Sequence, residues 1–143
     1  MTNVLMTNDE FKNMTLSEEQ KMAIRGLLAF LPALQNTERD FIRNGYWSEM
    51  PSIVSTTTAR NLFSYLYDNG FILPGFDWMA WSEEALSYLD DRAKLKTADW
   101  QTLYQLLTAH IRADRFTEGH YDAIIENGFL RDVLARMQEL LKE

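Results

Sequence analysis

Apolar residues recur along this chain at intervals of three and four, the period of one helix face, almost from end to end. Ile24, Leu27, Leu28 and Leu31 form the first stripe. Ahead of it stand Thr15 with Glu18 and Ser17 with Gln20. Both pairs have the spacing at which a hydroxyl and a longer polar side chain close a helix N-terminus reciprocally. Pro32 and Asn36 interrupt, and a second helix is expected from Thr37 to about Asn44. Leu62, Phe63 and Leu66 mark a third, from Thr57 or Thr58 to Asn69. A short helix should follow from Ser82, its expected cap, to about Leu89, with Glu83 and Glu84 favourably placed in its first turn. Thr97 is expected to cap a strong amphipathic helix striped by Trp100, Leu103, Tyr104, Leu107 and Ile111. Thr117 restarts a helix as far as Asn127, and a last one from Leu130 to Leu141 carries Val133, Leu134, Met137, Leu140 and Leu141.

Two stretches lack this period. Residues 47–55 contain Pro51 and read as a connecting loop, with room for a short strand at 52–55. Residues 70–81, broken by Pro74 and Gly75, read as a long aromatic loop. One motif ends three of the helical patterns: Arg43-Asn44-Gly45-Tyr46, Asp68-Asn69-Gly70-Phe71 and Glu126-Asn127-Gly128-Phe129. A glycine can take the left-handed conformation that closes a helix, and an apolar residue after it packs back on the last turn. The irregular spacing of the three copies excludes a solenoid, so the motif is read as punctuation. The resulting expectation is an all-α fold, a single compact domain of about six helices over residues 15–143 with at most a minor strand. Residues 1–14 form a lead-in.

Composition narrows the function classes. Hydrophobic residues make up 46% and aromatic residues 13% of 143, enough apolar surface for one sizeable core. The absence of cysteine excludes disulfides, thiolate nucleophiles and zinc fingers, and suits a cytoplasmic protein. No apolar run reaches the length of a membrane span, and the N-terminus shows no basic segment leading into an apolar one, so neither membrane nor export is expected. The net charge of -7 is spread evenly, without a basic face. Phosphate-backbone binding needs clustered Lys and Arg, which argues against nucleic acid and for a protein partner or a second copy of the chain.

Candidate chemistry concentrates in one stretch. Both histidines, His110 and His120, lie within twelve residues that also hold Arg112, Asp114, Arg115 and Glu118. On the helix after Thr97, His110 falls at the edge of the apolar stripe, with Asp114 one turn on and able to touch it. Arg115 falls on the core-side flank, able to bond carbonyls at the helix end, while Arg112 points more to solvent. Thr117 would then cap the next helix and Glu118 sit in its first turn, which makes the cluster a structural ion-pair corner. Two alternatives stay open. Arg112 and Arg115 with the following helix N-terminus could clamp an anion, with His120 alongside. His110, Asp114, Glu118 and His120 could hold a metal and serve a hydrolase, although no His-Glu-x-x-His spacing is present. There is no nucleophile-elbow Gly-x-Ser-x-Gly and no Gly-rich phosphate loop, and no motif calls for a cofactor. A second candidate surface is the loop from Phe71 to Trp81, whose Phe76, Trp78 and Trp81 either line a contact patch or fold inward as a lid.

The run Leu106-Leu-Thr-Ala-His-Ile-Arg-Ala-Asp-Arg-Phe-Thr-Glu-Gly-His120, with Glu126-Asn-Gly-Phe129 and the Leu-rich last helix, resembles a bacterial family of domains of unknown function. The shared core reads Leu-Leu-Thr-x-x-x-Arg-x-x-Arg-Phe-x-x-Gly, and Asn69 to Trp78 resembles an earlier Asn-Gly-Phe segment with Pro, Phe, Asp and Trp. The resemblance spans roughly Leu27 to Leu141. It implies that Arg112, Arg115, Phe116 and Gly119 are hallmark positions, that His110 and His120 are less so, and that the setting is bacterial and intracellular. It brings no activity or cofactor. The leading expectation is therefore a non-catalytic binding or regulatory module that uses Trp78, Trp81, Arg112, Asp114, Arg115, Glu118 and His120. A small-molecule or anion-binding protein or enzyme using Arg112, Arg115 and His120 is the alternative, and a metal-dependent hydrolase the third.

Overall fold

The computed structural model describes residues 16–34 and 56–142. The helix expected at 37–44, the loop with its short strand at 47–55, the Arg43-Asn-Gly-Tyr46 stop and the lead-in lie outside them. The described residues form an all-helical domain with no strand among them. Helix α1 spans Glu18–Leu28, α2 Thr56–Asp68 and α3 Ser82–Asp90. A 3-10 helix follows at Arg92–Thr97, then α4 at Trp100–Ala113, α5 at His120–Glu126 and α6 at Phe129–Lys142.

Local chemistry sets most of these boundaries. Of the two capping pairs ahead of α1, Ser17 and Gln20 close the box: the Gln20 amide donates to Ser17 Oγ (3.0 Å) and the Ser17 amide to Gln20 Oε1 (2.8 Å). Gly70 and Gly128 both take φ of +83°, so the two described Asn-Gly motifs are helix stops of the left-handed kind. Phe71 and Phe129 then turn straight into the core.

Three expected caps are displaced. Thr97 ends the 3-10 helix, and Asp99 caps α4 by accepting the Thr102 amide at 2.9 Å. A carboxylate is a strong acceptor for the orphan amides of a first turn, and two more residues let the 3-10 helix close first. Ser82 lies inside the first turn of α3, which starts after Trp81 without a side-chain cap. Helix α5 starts at His120 and not at Thr117, because residues 114–119 are spent on a turn that reverses the chain.

At the centre stands α4. Its expected stripe is inside, with Leu103, Tyr104, Leu107 and Ile111 buried and Trp100 partly so. Leu106, Thr108, Ala109 and His110 are buried as well, so the run from Leu106 to Ile111 is enclosed on every side, more than an amphipathic stripe requires. Helices α3, α5 and α6 pack on it, α5 and the 3-10 helix also pack on α6, and α1 bridges α2 and α6. Arg92 fastens the 3-10 helix to the start of α6 through Asp132 (2.8 Å) and the Asn127 carbonyl (3.1 Å), its guanidinium lying 5.3 Å from the centre of the Phe129 ring.

Candidate functional site at the α4–α5 corner

The end of α4 carries the charged cluster into the turn, and the turn sorts its members. His110 is 2% exposed. Its Nε2 lies 3.1 Å from the Ala85 carbonyl of α3. A carbonyl only accepts, so Nε2 carries the ring proton and Nδ1 is a bare acceptor. His120 Nε2 sits 2.9 Å from that Nδ1 and is the donor. The ring planes are 9° apart with centroids 5.2 Å apart, the separation of two rings joined end to end along the N···N line. That is the geometry of a linear hydrogen bond. Two imidazoles sharing a metal would converge on a common point at an angle.

Burial lowers the His110 pKa from 6.5 to about 4, the Ala85 hydrogen bond opposing this and the neighbouring His120 adding to it. Burial also lowers that of His120, against the pull of Asp114. Both rings are therefore neutral at pH 7. Phe129 packs on His110 with centroids 4.8 Å apart. Both nitrogens of His110 are engaged, which leaves it no free atom for acid–base work.

Asp114 does not pair with His110. It closes α4 and accepts the Tyr121 amide at 2.9 Å, so it caps the first turn of α5 in place of Thr117. The Tyr121 hydroxyl is buried, donates to the Ala59 carbonyl of α2 (2.7 Å), and is held protonated by that burial. With Tyr121 N–H taken by Asp114, the seven-residue α5 does not offer that amide to an anion. Glu118 is exposed, and no group of three or more metal-ligating side chains is placed to hold an ion among the described residues.

The arginines stand differently from expectation. Arg115 is exposed and makes no side-chain bond to the helix-end carbonyls among the described residues, because the backbone itself closes them: the Phe116 and Thr117 amides both bond the Ala113 carbonyl. Arg112 is partly buried instead of solvent-facing, and its Nε is enclosed with no partner among the described residues.

The aromatic loop reaches the same corner. Phe71 is wholly buried between Tyr65 and Tyr104, with centroids at 6.3 and 5.3 Å. The hydroxyl of Thr108 accepts the Leu73 amide (2.9 Å) and donates to the Tyr104 carbonyl (2.9 Å), which pins the loop to α4. Phe76 packs on Trp81 at 5.6 Å, and Trp81 on Tyr88 of α3 at 6.4 Å. The lid expectation fits Phe76 and Trp81. Between them, Trp78 is half-buried against Phe116 at 5.8 Å, while Phe116 is 69% and Met79 55% exposed.

The two candidate surfaces therefore meet at Trp78 and Phe116, with the exposed Met79 next to Trp78 in the chain. Met79 had no signal of its own in the sequence. Exposure alone distinguishes it from the apolar residues around it. The profile of the Family of unknown function (DUF6508) matches residues 19–143. Neither a curated protein nor a solved structure matches the chain.

Proposed function

Because the chain belongs to the Family of unknown function (DUF6508), which brings no activity with it, we propose from its surface that it is a non-catalytic binding module. It engages a protein partner through Trp78, Met79 and Phe116, flanked by Arg112 and Arg115. The observation that carries this reading is the exposure of Phe116 in ring contact with Trp78. A phenyl side chain left in water forgoes about 2 kcal/mol that burial would supply, and aromatic, Met and Arg side chains are those most enriched where partners dock. Trp81, Asp114 and His120 stand behind this surface: Trp81 props the loop, and the other two set the corner.

The test is a photo-crosslinking residue placed at Met79 in the native cell. One discrete adduct that disappears when Phe116→Ser is added supports the reading, and a self-adduct assigns the partner to a second copy. Absence of any adduct overturns it. A second reading rests on the enclosed Arg112 Nε, which has no partner among the described residues and suits a carboxylate or phosphate group of a small ligand. A thermal-shift series with inorganic phosphate and simple carboxylates separates the two, since a ligand of the folded state raises Tm and Arg112→Gln must cancel that rise.

A further inference from the structure

We propose that His110 and His120 form a two-proton latch, which fastens the first turn of α5 to α4 when neutral and lets it go in acid. The inference is independent of the partner surface above, because it rests on the atoms that join the two rings.

The Ala85 carbonyl fixes the proton of His110 on Nε2, and the bare Nδ1 accepts from His120 Nε2–H. Of the four ring nitrogens, only His120 Nδ1 has no partner among the described residues. A first proton therefore enters there. It leaves both hydrogen bonds in place, turns the inter-ring bond into a charge-assisted one, and is favoured by Asp114. A second proton has only His110 Nδ1 to occupy, where His120 already presents an N–H. Two imidazolium rings would then face each other donor to donor, that of His110 set among the apolar side chains of Leu106, Leu107, Ile111 and Phe129. Like charge, lost hydrogen bonding and desolvation act in the same direction, so the rings must part.

Few charged groups can soften this. His120 is the charged group that acts on His110, and Asp114, on the turn, is the one that acts on His120. From α3 comes the uncharged Ala85 carbonyl, and from α6 the Phe129 ring, with Arg92 over it already paired to Asp132. Asp122 of α5 has its pKa raised by burial and, after that, by the neighbouring Asp114. The segment that moves is short. Gly119, at φ +87°, precedes His120, and the first tie beyond the latch is Tyr121, through its hydroxyl to Ala59 and its amide to Asp114.

The experiment combines amide exchange with imidazole nitrogen spectra on the intact chain, from pH 7.5 to 3.5. Expected is His120 titrating first while His110 keeps its Nε2–H form, followed by a rise of about tenfold or more in the intrinsic-rate-corrected exchange of the α5 amides. Tenfold is the ratio set by one unit of pKa displacement. Leu27 and Leu66, fully buried in the last turns of α1 and α2, stay protected through this step. His110→Gln keeps a donor and an acceptor but cannot take the second proton, so its α5 amides stay closed in acid. The proposal is overturned if α5 opens in step with Leu27 and Leu66, if His110 titrates with α5 still protected, or if His110→Gln opens as the natural chain does. Should that variant not fold, the order of titration and exchange in the natural chain decides alone.

Discussion

Residues 110–121 contain two regions of opposite character. His110, Asp114, His120 and Tyr121 bond to one another or to the carbonyls of Ala85 and Ala59, and so hold α3, α4, α5 and α2 at one corner. Arg115, Phe116, Thr117 and Glu118, between them in sequence, are all exposed. Ionisable side chains stand in both. What separates them is the turn: residues at its start and beyond its two ends face inward across it, and those along its middle face water. Being charged and clustered says little here about being a site. The exposed half, whose side chains hydrogen-bond to no other helix among the described residues, is the better place to look for function.

The largest expected effect tests the inward half. His110→Ala removes a buried ring, strands the Ala85 carbonyl and the His120 N–H, and leaves a void beside Phe129, at a cost of about 3 kcal/mol. Urea unfolding measures this, and a loss under about 1 kcal/mol would place His110 with the exposed half.

Acid probes the same residue without a mutation. The His110 pKa falls from 6.5 to about 4 on folding, so the unfolded chain binds the extra proton between those values. Stability is whole above pH 6.5 and declines as pH falls toward 4, by at most about 3 kcal/mol, with the lowered pKa of His120 acting in the same sense. Opening of α5 before global unfolding would cut that loss short. Urea midpoints taken from pH 7 to pH 4 give the slope, and His110→Gln should flatten it. A slope of the opposite sign would mean that the pair is charged in the folded state.

These effects show what the sequence could and could not reveal. The Ser17–Gln20 box, the stripes of α2, α4 and α6 and the two Asn-Gly stops depend on neighbours within one helical turn, and all were legible. The His110–His120 bond joins residues ten apart, a spacing no regular helix brings together, and it exists only because the turn doubles the chain back. The Asp114 cap escapes local reading for the same reason: it belongs to the end of one helix and serves the start of the next. A capping motif read locally assigns that task to Thr117. The enclosure of residues 106–111 of α4 was also hidden, since a stripe shows the face a helix must bury and not how many neighbours surround it.

Asp114→Ala should cost about 1 kcal/mol, the usual loss of a side-chain cap, because Tyr121 N–H then has no acceptor there. Asp114→Asn, which retains a carbonyl oxygen, should recover most of it. Thr117→Ala should change little, and if it proves the costlier of the two, the assignment of the cap is reversed. Denaturation midpoints of the three variants settle the order.

The smallest effect is the most informative for function. Phe116→Ser and Arg115→Ala act on exposed side chains, so each should shift stability by no more than about 0.5 kcal/mol. Phe116 does lose its contact with Trp78, but a half-exposed ring pair contributes little beyond its buried area. Stability does not account for an exposed phenylalanine on the turn. If both variants unfold at the natural midpoint and Phe116→Ser removes the Met79 crosslink, the exposed half is a contact surface and the inward half its scaffold. If Phe116→Ser instead destabilises by 1 kcal/mol or more, about the scale of a lost cap, the Trp78–Phe116 pair belongs to the fold. The distinction drawn here between the two halves would then collapse at its most exposed member.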